Sequence, residues 1–156
     1  MFKQDVDGFP LDVQKTGCYF FCLLRICELE SGKELSKAQI NDIYTEARLH
    51  GYIGAKCSCI SPDNICRLAM MVLECRKQVL QVGDVDKQGR TSFWKWAQKI
   101  PYNTPVYTCM TFATGGPVGT HYVLGNMAHE ILFDPSSHDY TKNNKLGGLL
   151  HTVIGG

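Results

Sequence analysis

No part of this chain approaches the roughly 18 consecutive apolar residues that a membrane-crossing helix needs, so no transmembrane span is expected. The opening Met1-Phe2-Lys3-Gln4-Asp5 is polar and acidic, without the basic-then-apolar form of a secretion signal. A soluble, cytoplasmic protein is the expectation, and a compact domain of this kind suits a bacterium or a phage. Excess charge of one sign is missing too. Sixteen Lys and Arg against fifteen Asp and Glu leave a formal net charge of +1, too little to recruit nucleic acid or an anionic membrane. Neither is an expected partner. Repeats, low-complexity tracts and linker-like shifts in composition are also lacking, which leaves a single domain over residues 1–156.

Cysteine, by contrast, is plentiful. Eight thiols in a chain without a signal peptide point to a reducing compartment rather than to a disulfide framework. Most are expected to pack as small hydrophobes, Cys22 and Cys27 in an apolar helix and Cys109 in a strand. Cys57, Cys59, Cys66 and Cys75 are spaced C-x-C-x6-C-x8-C, without the C-x2-C knuckle of structural zinc sites. No metal and no organic cofactor are expected.

With 44% hydrophobic residues the chain can build a substantial core. From Gly17 to about Glu30 the residues are apolar nearly all round, which predicts a helix in the middle of the domain. Ser36 with Gln39 forms a capping-box signature ahead of a second, amphipathic helix that runs to Gly51. Ser61-Pro62-Asp63 opens a third. Lys77 to Val82 reads as a strand and Thr91 to Ile100 as a brief helix carrying Trp94 and Trp96. Pro105–Phe112, His121–Gly125, Glu130–Phe133 and Leu146–Ile154 then read as strands separated by turn signals. The fold class is therefore α+β, a helical N-terminal half packed on a C-terminal antiparallel sheet.

The chemistry concentrates in three segments. Cys18 follows the short polar stretch Lys15-Thr16-Gly17 and begins the buried helix, whose unpaired N–H groups favour a thiolate. His121 starts a strand after the Gly115-Gly116-Pro117-Val118-Gly119 loop and is the candidate base. Asp134 closes the next strand, and a hairpin turning near Gly125 to His129 makes it a neighbour of His121, able to fix the imidazole. Asn126 competes with Asp134 for that role, but lies five residues along the strand. His129, His138 and His151 have no partner at a telling spacing and read as solvated or packing histidines.

Gln14-Lys15-Thr16-Gly17-Cys18-Tyr19-Phe20, Gly119-Thr120-His121-Tyr122-Val123-Leu124 and Leu132-Phe133-Asp134-Pro135-Ser136 together resemble the papain-like cysteine peptidases, especially the bacteriocin-leader-processing branch. The resemblance implies a papain-like fold with Cys18 as nucleophile, His121 as general base and acid, Asp134 as orienting carboxylate and Gln14 as oxyanion donor. It implies hydrolysis of a peptide or other amide bond, with a peptide or protein as substrate. Two alternatives stay open: a papain-like fold with weak or no catalysis that binds or inhibits a partner, and a transglutaminase-like transferase in which an amine replaces water.

Overall fold

A computed structural model describes residues 1–85, 104–114, 119–126, 128–142 and 146–155. The predicted helix over 91–100, with Trp94 and Trp96, lies outside these residues.

The N-terminal half is helical, as α1 (Leu11–Thr16), α2 (Cys18–Ser31), α3 (Lys37–Leu49), a 3-10 turn (Ala55–Cys57) and α4 (Pro62–Val72). The strands are β1 (Gln78–Val85), β2 (Val106–Ala113), β3 (Thr120–Asn126), β4 (Ile131–Phe133) and β5 (Leu146–Gly155). They form one sheet in the order β1-β5-β2-β3-β4, antiparallel at every pairing. The α+β class follows directly. Gly155 is paired in β5 opposite Gln78.

Helix α2 is central because it has no polar face to give to water. Phe20, Phe21, Cys22, Leu23, Leu24, Ile26 and Cys27 are all fully buried, each large side chain contributing about 1.5–3 kcal/mol. It packs on α1 and α4 and on strands β2, β3 and β5. Over β3 the Tyr19 ring stacks on Tyr122 at 4.8 Å, and the Cys22 thiol points at the Tyr122 carbonyl. One apolar cluster runs from Phe9 and Val13 through α2, α3 and α4 to Cys109 and Leu124 on the sheet. The helix ends at Gly32, whose φ of 71° makes the left-handed cap that glycine adopts without steric cost.

Helix α3 starts with the predicted capping box, Ser36 accepting from the Gln39 N–H while the Gln39 side chain accepts from the Ser36 N–H. At α4 proline stands in the first turn as predicted, but Ser61 makes no side-chain cap to the backbone. Its hydroxyl bonds the Asp63 and Asn64 side chains instead.

The stretch before Cys18 differs from expectation. Lys15 and Thr16 are the last residues of α1, not a turn. Asp12 at the start and Lys15 at the end suit the helix dipole, and Gly17 alone joins α1 to α2. A Cβ on Gly17 would come within 2.4 Å of the Val13 carbonyl oxygen, so only glycine lets the two helices meet at this junction.

Candidate active site

Cys18 is the first residue of α2, where no side chain caps the open N-terminus. The first N–H groups of a helix have no intrahelical acceptor, so the thiol stands beside unpaired donors. It is buried, as are Cys22, Cys27, Cys57, Cys66 and Cys109. Burial chiefly pushes the thiols of Cys22 and Cys59 well up, and that of Cys57 up to about 12. For Cys27 the hydrogen bond with Cys66 comes first and burial second. These four stay neutral thiols near pH 7.

His121 is the second residue of β3, one place further in than the sequence suggests, paired with Phe112 of β2. Its Nε2 lies 2.7 Å from Oδ1 of Asp134, and the imidazole is nearly buried while the carboxylate is 20% exposed. The β3–β4 register explains the contact. A bulge falls between Leu124, which pairs with Phe133, and Gly125, which pairs with Ile131. Continued from Leu124, this register sets Asp134 opposite Val123, so His121 and Asp134 are diagonal neighbours on one face, within reach of two polar side chains. The same Asp134 oxygen accepts the Ser136 N–H at 3.0 Å, which fixes the carboxylate from behind.

Burial by itself disfavours the charged imidazole, but the hydrogen bonds and charges of Asp134 and Cys18 outweigh it and raise His121 to about 9. With Nε2 taken by Asp134, Nδ1 is the ring nitrogen left for Cys18. Tyr140 covers the ring at 4.9 Å, and His138 in turn lies 4.5 Å from Tyr140. Asn126, the competing partner, sits at the far end of the hairpin, where its side chain accepts the N–H groups of Ala128 and Glu130.

Cys18 and His121 open into a cavity of about 750 Å³, lined also by Gln4, Gln14, Lys15, Lys56, His138 and Tyr140. Gln14 thus reaches the cavity wall, but its Nε2 donates to the Phe9 carbonyl at 2.7 Å, tying α1 to the chain before it. A second glutamine, which the sequence reasoning missed, is placed differently. Gln4 is 4% exposed. Its backbone N–H donates to Pro135 O at 2.8 Å, and its Nε2 donates to Gln14 O at 3.2 Å. Its Oε1 has no hydrogen-bond partner among the described residues. Fourteen residues before Cys18, Gln4 carries no spacing signal, and only the fold brings it to the cavity.

The N-terminal arm also clasps the loop that carries Asp134. The Lys3 ammonium donates to the Asp134 carbonyl, and Asp5 accepts from both the backbone N–H and the hydroxyl of Ser137. The arm, the start of α2 and the β3–β4 hairpin therefore meet at one place.

No helix among the described residues is long and apolar enough to cross a membrane. No curated protein matches the chain, and no solved structure does. Residues 1–81, slightly more than half of the 156, match the family described as "Protein of unknown function, DUF261". That stretch contains Gln4, Gln14 and Cys18 and stops short of His121 and Asp134; the chain belongs to the DUF261 family.

Proposed function

We propose that this protein is a cysteine hydrolase of papain-like architecture that cleaves a peptide or other amide bond in a cytoplasmic peptide or protein. The reading is carried by one observation: Cys18, at the open start of a buried helix, lines the same cavity as an imidazole fixed 2.7 Å from a carboxylate. The raised affinity of His121 for its proton favours an imidazolium beside Cys18 at rest.

The thiolate attacks the substrate carbonyl carbon, forming the S–C bond and moving the π electrons onto oxygen. The resulting oxyanion is met by the Cys18 N–H and by the Gln4 amide, which has a second hydrogen besides the one given to Gln14 O. Collapse expels the amine, which takes a proton from the His121 imidazolium. Water then attacks the thioester while His121 accepts its proton, and the thiolate departs. Asp134 holds the ring in one orientation throughout. Gln14 lines the same cavity, and its Nε2 likewise keeps a second hydrogen beyond the Phe9 bond, so it is the alternative donor.

Incubation with p-nitrophenyl acetate, a generic acyl donor, followed by intact-mass analysis tests this reading. An acetyl group on Cys18 that forms in wild type and not in Cys18→Ala supports it. A chain that never acylates at Cys18 points to the binding module.

A further inference from the structure

The polar groups around the cavity are not equally committed. Its two carboxylates, Asp5 and Asp12, keep their negative charge, but their oxygens already have neutral hydrogen-bond donors. Asp5 accepts from Ser137 twice, and Asp12 accepts from the Val13 N–H and the Tyr44 hydroxyl. Lys15 and Lys56 are exposed, line the same cavity, and have no ion pair or hydrogen bond from their ammonium groups among the described residues. The Thr16 hydroxyl donates to the Lys56 carbonyl, so the two lysines rise from backbones fastened side by side.

The backbone at Lys56 adds a second, independent observation. Lys56 (φ 56°) and Cys57 (φ 54°) both adopt the left-handed conformation, which costs a residue with a Cβ energy that glycine does not pay. The turn is held there by Thr16, by Gly54 N–H donating to Ser58 O at 2.8 Å, and by the bridge between Ile53 and Cys59. A lysine where glycine fits with less strain is explained by a use for its side chain.

The geometry points to an anionic substrate: Lys15 and Lys56 form a subsite beside Cys18 for an acidic side chain of the peptide, Asp or Glu. This rests on the cysteine-hydrolase reading and specifies its substrate class.

The test is the rate at which three chloroacetylated dipeptide amides, Gly-Glu, Gly-Gln and Gly-Lys, alkylate Cys18. In each reaction the sulfur displaces chloride from the same carbon, so only the neighbouring charge differs. At low salt the Glu probe is expected to react about fivefold faster than the Gln probe, and the Lys probe slowest. Two exposed cations contribute on this scale. The Glu/Gln ratio is expected to fall toward one in Lys15→Ala, in Lys56→Gly and in 0.5 M NaCl, where the Debye length is only a few Å. Lys56→Gly is further expected to melt at or above the wild-type temperature, because it removes the strain. Equal rates for the three probes in wild type, or a preference for the Lys probe, overturn the acidic subsite and leave the thiol chemistry standing. A Cys18 no faster than the other thiols with all three overturns the hydrolase reading and the subsite with it.

Discussion

His121 Nε2 lies 2.7 Å from Asp134 Oδ1 across a bulged hairpin, and Cys18 lines the same cavity as this imidazole. The imidazole keeps its proton because Asp134 and Cys18 together outweigh its burial. Asp134→Asn removes the charge and keeps the shape. It is expected to lower the midpoint of the His121 titration from about 9 toward the ordinary value near 6.5, seen in the ring-proton NMR shift. An unchanged midpoint would assign Asp134 only to the turn it caps through Ser136.

The same shift makes stability depend on pH. A histidine whose folded pKa is raised binds its proton more tightly in the native state, so its contribution is full below about pH 6.5. It declines as pH rises from there and is gone above about 9. Between pH 6.5 and 9.5 the melting temperature of wild type is expected to fall more than that of His121→Gln. Parallel curves would count against a charged native imidazole. Hydrolysis is expected to decline as pH passes about 9, since the departing amine then lacks its acid.

The two glutamines separate by experiment. Gln4→Ala is expected to slow acyl transfer from p-nitrophenyl acetate by roughly 10²-fold, the scale of losing one oxyanion donor. Gln14→Ala is expected to cost about 1 kcal/mol of stability through the lost Phe9 bond, with a smaller loss of rate. The reverse ranking would restore Gln14 as the donor.

Gly17→Ala sets a Cβ 2.4 Å from the Val13 carbonyl oxygen, so the backbone at the junction has to shift. A destabilisation of about 1–3 kcal/mol is expected in urea unfolding, with slower alkylation of Cys18 because the start of α2 moves. A variant as stable and reactive as wild type would show that the α1–α2 junction has slack.

Much of this fold is legible in the sequence where one local pattern decides it. The apolar run after Gly17 can only be an interior helix, Ser36 with Gln39 marks a start, and alternating residues after Pro105 mark strands. Helix α1 is not legible, because six residues carry less than two turns of periodicity. The site divides in the same way. Cys18, His121 and Asp134 are found from a helix start and a hairpin, both short-range features. Gln4, Lys56, His138 and Tyr140 reach the cavity through contacts between distant segments, such as Gln4 with Pro135 and Thr16 with Lys56, and no spacing announces them.

The most direct test of the Cys18–His121 pair is the rate of iodoacetamide alkylation of each thiol at pH 7, followed by peptide mass spectrometry on wild type and His121→Ala. Cys18 is expected to react at least tenfold faster than Cys22, Cys27, Cys57 and Cys59, and to lose that advantage in the variant while the protein stays folded. Equal rates for Cys18 in the two proteins would contradict the Cys18–His121 pair.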